Sequence, residues 1–139
     1  MDITEISDRL EITALITRYT RAVDTAQFDG IDEVFLDDAE LDYSSAGGPV
    51  TTPAQAKPFI ANLLGFERWQ HVIGQVEITL DGDTAHATAY FINPMVAKGA
   101  DGGEQLWEVG GYYHHDLVRT PDGWRSRRMV DELVWTRMP

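Results

Sequence analysis

The chain has 139 residues and no cysteine. That absence excludes a disulfide framework, a thiolate nucleophile and a cysteine-ligated metal. Positive charge is scarce, with eleven Lys and Arg against twenty-three Asp and Glu and a net charge of −12. Nucleic acids and anionic membrane surfaces both require a basic footprint, so neither is expected as a partner. No apolar run approaches the length of a membrane span, and no signal peptide or twin-arginine signal is evident. The expected location is therefore the cytoplasm. The four histidines, His71, His86, His114 and His115, fall in no ligand spacing such as His-Glu-x-x-His, so no metal is expected. Phosphate loops, dinucleotide fingerprints and nucleophile elbows are missing, and Gly47-Gly48 and Gly110-Gly111 are too short to count as any of them. No cofactor is expected.

What is present suits a globular protein: 43% hydrophobic and 24% charged residues are wrong for disorder. The length suits one domain over 1–139 with a sizeable core. The acid excess is uneven. Residues 1–42 hold twelve acids and three arginines, whereas the last twenty-one residues hold five arginines and three acids. Most of these charges read as solvated faces.

Ile3, Ile6 and Leu10, then Ile12, Leu15, Ile16, Tyr19 and Val23, recur at helical spacing behind a cap at Asp2. A short second helix is predicted over Ile31–Leu36, and a short strand over Leu41–Tyr43. A third helix is predicted from Thr52-Pro53 to about Leu64, with Pro58 delaying its start or kinking it. From His71 onward the pattern is β. Strands are expected over 72–80 and 85–96, joined at Asp81-Gly82, and over 106–118 and 124–135, joined at Pro121-Asp122-Gly123. Pro94 demotes the end of its strand to an edge or a bulge. Helices first and strands afterwards imply an α+β fold, with the helices on one face of a strongly curved, mainly antiparallel sheet.

Four stretches carry a resemblance: Tyr19-Thr-Arg-Ala-Val-Asp24, the acidic segment Asp37 to Asp42, His71 at the opening of a strand, and Gly123-Trp124 before a basic strand. Together they resemble the SnoaL-like family of the NTF2-like superfamily. The nearest branch is that of scytalone dehydratase, bile-acid 7α-dehydratase and hexachlorocyclohexane dehydrochlorinase. The resemblance spans nearly the whole chain and implies the cone-shaped NTF2-like fold. It also implies an aspartate at the end of the first helix paired with a histidine that begins a strand, here Asp24 and His71. Tyr19 matches a tyrosine five residues before the aspartate, and Tyr43 matches one on the first strand. A second histidine on a middle strand has no counterpart, and Asn93 is the nearest inward residue. An arginine on the last strand is replaced by Met129, with Arg127 and Arg128 just before it, which argues against dehydrochlorination.

These residue types suit β-elimination. Histidine works as base or acid near neutral pH, a carboxylate behind it fixes its tautomer, and tyrosine hydroxyls polarise a substrate oxygen. The expected catalytic set is Asp24, His71, Tyr19 and Tyr43. Each has a structural rival: a helix-end turn for Asp24, a strand-end hydrogen bond for His71, core packing for Tyr19. Period-two parity places Tyr113 and His115 on one strand face and Tyr112 and His114 on the other. Asn93, Tyr113, His115, Phe66, Trp69, Phe91, Trp107 and Met129 are the expected lining of an apolar pocket for a small ring-containing substrate. The expected function is a cofactor-independent lyase of the dehydratase type. Two rivals stand: an isomerase or polyketide cyclase using a cavity carboxylate such as Asp131, and a non-catalytic binding or assembly module. A homodimer or homotrimer is expected, with Tyr112, His114, Val118 and Trp135 on the outer face.

Overall fold

The computed structural model describes residues 1–139. Helix α1 spans Ile3–Asp24, and its N-terminus is capped by Asp2, whose carboxylate accepts from the Glu5 amide at 2.8 Å. Ile12, Leu15, Ile16, Tyr19 and Val23 form the buried stripe. Ile3, Ile6 and Leu10 share the helical spacing, yet they lie at the exposed N-terminal end.

The expected second helix is not α. Residues Phe28–Glu33 form a 3-10 turn, and strand β1, Phe35–Asp42, begins where that helix was to end. The chain turns tightly against α1 here, because a Cβ on Gly30 would stand 2.9 Å from the Ala22 methyl. Only these six residues of 3-10 helix fit before Phe35, Ala39 and Leu41 must point into the core. Strand β2 is Val50–Thr51. Helix α2, Pro53–Ile60, starts on its Thr52 cap and runs through Pro58, then relaxes into a 3-10 turn over Ala61–Gly65. It is thus shorter than expected, and Pro58 does not delay its start.

Strands β3 (Arg68–Trp69), β4 (Val72–Asp81), β5 (Thr84–Lys98), β6 (Glu104–Thr120) and β7 (Gly123–Arg137) complete a sheet of order β2-β1-β7-β6-β5, with β3 and β4 sharing the far edge of β5. All pairs are antiparallel except β1 with β7, which is parallel. Both helices contribute to the core on one face, which gives the expected α+β architecture. The β4–β5 turn uses Gly82 at φ +60°, the left-handed conformation that a tight hairpin needs. Pro94 neither ends β5 nor bulges it. Its carbonyl accepts from the Gln70 amide at 3.1 Å, so its missing N–H faces the seam between β3 and β4, where no ladder bond is lost.

Ala85, Ala87, Ala89, Phe91, Asn93 and Met95 alternate inward on β5, and Gly111, Tyr113, His115 and Leu117 do so on β6. The register of β7 slips twice. Arg127 is the extra residue opposite Asp116–Leu117, and Val134 is the extra one opposite Gly110–Gly111. Such bulges bend strands and increase twist. Gly110-Gly111 serves the second one: a Cβ on Gly111 would stand 1.9 Å from the Glu132 carbonyl, and one on Gly110 2.3 Å from the Trp135 indole. The outer face presents Tyr90, Ile92, Val134 and Trp135 to solvent. No helix is long and apolar enough to cross a membrane.

Not all the helical acids are solvated. Asp8 is buried under the sheet end, where its carboxylate accepts from both Arg119 guanidinium nitrogens, at 2.7 and 2.9 Å, and from the Trp124 indole at 3.1 Å. The Arg119 hydrogen bonds hold its carboxyl below the usual carboxylate range. Glu11 beside it accepts from the Trp124 amide. These contacts clamp the first half of α1 to the β6–β7 hairpin.

Candidate active site

Helix α1 ends at Asp24, and the chain entering β4 passes directly over that end. Asp24 accepts twice from it. Its Oδ2 takes the His71 backbone N–H at 2.9 Å, and its Oδ1 lies 2.6 Å from His71 Nδ1. A carboxylate has no proton to give, so Nδ1 carries the hydrogen and Nε2 is left with its lone pair free. The Trp69 indole adds a third tie, donating to the Val23 carbonyl at 3.1 Å. The His71 side chain is 5% exposed, and its ring lies 6.4 Å from that of Phe91.

His71 faces a cavity of about 250 Å³ between the helices and the concave sheet face. Tyr19, Tyr43, Asn93, Tyr113, Phe66 and Phe91 line it as expected from sequence. The Tyr19 and Tyr43 hydroxyls share a 2.6 Å hydrogen bond. Gly48 makes room for this, since a Cβ there would stand 2.6 Å from the Phe59 ring and 2.8 Å from Tyr43 Cβ. Burial pushes all three tyrosine hydroxyls, Tyr19, Tyr43 and Tyr113, well above the usual phenol range, so they stay neutral donors. Phe91 stacks on Tyr113 with ring centres 4.2 Å apart. Asn93 Oδ1 is buried without a hydrogen-bond partner.

Four expected lining residues lie elsewhere. Trp69 turns to the outer side of the Asp24 contact, in a groove with Arg21 and Arg68. Trp107 stands behind Phe66, edge to face at 6.3 Å, and does not reach the cavity. His115 is sealed one step deeper than Tyr113, stacked on Phe35 and hydrogen-bonded through Nδ1 to Ser126 Oγ at 2.9 Å. Met129 is opposite His115 in the register and fully buried in the same core. Neither arginine enters. Arg127 is bulged out to solvent, and Arg128 binds Glu40 at 2.9 Å on the far side of the sheet.

The structure also supplies residues that the sequence reading missed. Phe59 and Leu63 come from α2 and the turn after it, and Leu133, Thr136 and Met138 from the end of the chain. Thr136 faces inward only because the bulge at Val134 inverts the parity of β7. Asp131, left open from sequence, does point into the cavity and is 7% exposed. No three His, Asp or Glu side chains converge in a geometry that would hold a metal.

A sequence profile of the SnoaL-like domain matches residues 4–130. The chain belongs to the SnoaL-like domain family. A relative in Mycobacterium tuberculosis, the uncharacterized protein Rv2910c, is 39% identical over 139 residues, covering 99% of this chain and 93% of its own. A solved structure from Novosphingobium aromaticivorans, provisionally named an aromatic ring hydroxylase, is 32% identical with a TM-score of 0.82, covering 96% and 94% of the two chains. The type 3 hexachlorocyclohexane dehydrochlorinase LinA of Novosphingobium barchaimii superposes with a TM-score of 0.82 over 100% of this chain and 94% of that one, at 15% identity. At that identity the likeness is one of fold, and it gives this SnoaL-like chain the NTF2-like α+β architecture.

Proposed function

We propose that the protein is a lyase of the dehydratase type, acting without a cofactor on a small, apolar, ring-containing hydroxy compound. The observation that carries this reading is the 2.6 Å contact between Asp24 and His71 at the wall of an aromatic cavity. His71 Nε2 takes the proton from a carbon made acidic by a neighbouring carbonyl. Asp24 holds the Nδ1–H and stabilises the imidazolium that forms. The C–H electrons become the new C=C bond as the β-hydroxyl departs. The imidazolium returns its proton to that oxygen, water leaves, and the histidine is restored. The Tyr19–Tyr43 pair shares one hydrogen bond, so one phenolic proton is left to steady a substrate oxygen. Phe59, Phe66, Phe91 and Leu63 supply apolar walls for a ring and little that would hold a sugar or a phosphate.

The test is a panel of cyclic β-hydroxyketones, with enone absorbance as the readout. Turnover by the natural chain and its loss in His71→Ala and Asp24→Asn variants that remain folded is the expected result. Full turnover in either variant sinks the assignment. One observation favours an isomerase instead: the carboxyl of Asp131 inside the cavity. Deuterium uptake from D2O into a ring ketone without loss of water selects that reading. A purely binding module is disfavoured by the closeness of Asp24 and His71, which a passive pocket does not require.

A further inference from the structure

The elimination above leaves one buried acid unused. Asp131 on β7 stands directly opposite Tyr113 on β6 and lines the cavity that His71 faces. It is 7% exposed, and its Oδ1 has no hydrogen-bond partner. The titratable groups around it are Tyr19 on α1, Asp42 and Tyr43 at the end of β1, Tyr113 on β6, and His71 on the same cavity. No lysine or arginine lines that space. A carboxylate without a cation and with an oxygen left bare is strongly disfavoured in such surroundings. Burial first, and the negative charge of Asp42 second, push its carboxyl up to about 7.

A neutral carboxyl differs from a carboxylate in one respect that matters to a ligand: it has a proton to offer. In the cavity the Asp131 O–H then joins two phenolic donors, the Tyr113 hydroxyl opposite it and the proton that the Tyr19–Tyr43 bond leaves over. An oxygen with two lone pairs and no proton of its own satisfies two such donors at once, the Asp131 O–H and a phenol. We propose that Asp131 stands in the resting cavity as a carboxylic acid and donates a hydrogen bond to the carbonyl oxygen of a ring ketone, so that the floor is a carbonyl-recognition subsite. The inference deepens the lyase reading, because that carbonyl is the group that acidifies the C–H bond facing His71. Only that catalytic use rests on the lyase reading; the binding preference stands without it.

The experiment uses the full chain with two fluorescent probes, 2-acetylnaphthalene and naphthalene, and a carbon NMR titration of the Asp131 carboxyl. The carboxyl is expected to titrate close to neutrality. The ketone is expected to bind about tenfold tighter at about pH 5.5 than at about pH 8.5, while naphthalene binds equally at both. Asp131→Asn keeps an N–H donor at every pH, so its ketone affinity stays high and flat. Asp131→Leu binds the ketone weakly at both pH values. His71→Ala, which ends the proposed elimination, keeps the pH-dependent difference between the probes, so failure of the elimination and failure of the subsite are read separately. A carboxyl that titrates in the ordinary carboxylate range overturns the proposal. So does a ketone that binds no tighter than naphthalene at low pH, or a pH dependence that survives Asp131→Asn.

Discussion

Two histidines lie inside this fold, and their surroundings differ in two ways that decide what each can do. The His71 side chain is almost enclosed and His115 is buried, and each has its Nδ1 in a hydrogen bond. The partner of His71 is a carboxylate and its far nitrogen faces a cavity. The partner of His115 is the Ser126 hydroxyl, and its Nε2 is enclosed without a partner. Burial pushes His115 down to about 3, so it stays neutral through the physiological range. A hydroxyl cannot balance the charge of an imidazolium and a carboxylate can. Burial alone makes a histidine inert; the carboxylate of Asp24 and an open cavity give His71 the surroundings that the proposed elimination needs.

The comparison breaks most readily by activity. His71→Ala is expected to lower turnover of a ring substrate by about 10²–10⁴-fold, whereas His115→Phe keeps the rate and its pH profile, measured by steady-state kinetics. Stability against pH sharpens it next. Asp131 has a carboxyl raised from 3.8 to about 7 in the fold, so its contribution is present below the lower value and is lost as pH rises through the upper one. Asp131→Asn is expected to be the more stable chain at about pH 8, by on the order of 2–4 kcal/mol in urea unfolding. His115 has the opposite sign. Its folded value lies below the ordinary 6.5, so its contribution is present above 6.5 and is lost as pH falls toward about 3. Acid unfolding of His115→Phe is therefore expected to be shallower across that window, and an unchanged slope would show that His115 is protonated in the fold. The smallest effect belongs to the backbone that aims the last strand. Gly111→Ala forces a methyl against the Glu132 carbonyl and is expected to cost about 1–3 kcal/mol in the same unfolding assay.

Much of this was legible in the residues. Alternation on β5 and β6 put Phe91 with Asn93 and Tyr113 with His115 on single strand faces, because side chains change sides at every residue, and the family resemblance told which face is inward. The pairing of Asp24 with His71 came from the SnoaL-like resemblance, which sets an aspartate at a helix end against a histidine at a strand start. The same arithmetic failed on β7, where two extra residues, Arg127 and Val134, break the count and hide the inward turn of Thr136. It also failed for His115 and Met129. Parity gives the face of a residue but not its depth, and Phe35 closes the core over His115 before the cavity begins. The burial of Asp8 was illegible for another reason: its partners, Arg119 and Trp124, lie more than a hundred residues away in the chain.

The extra residue at Val134 has a meaning beyond curvature. It works like a frameshift written in space: every position after it is read on the opposite side of the sheet. Ironing out the bulge while keeping all its residues, so that Val134 paired with Gly110, would restore the plain count and exchange Trp135 with Thr136. An indole would then swing from the outer surface into the mouth of the cavity, and a threonine would take its place outside. Relatives with a final strand of the same length but no bulge would thus own a plugged site with almost the same composition. In this fold the shape of the ligand is set as much by where the last strand bulges as by which residues it carries.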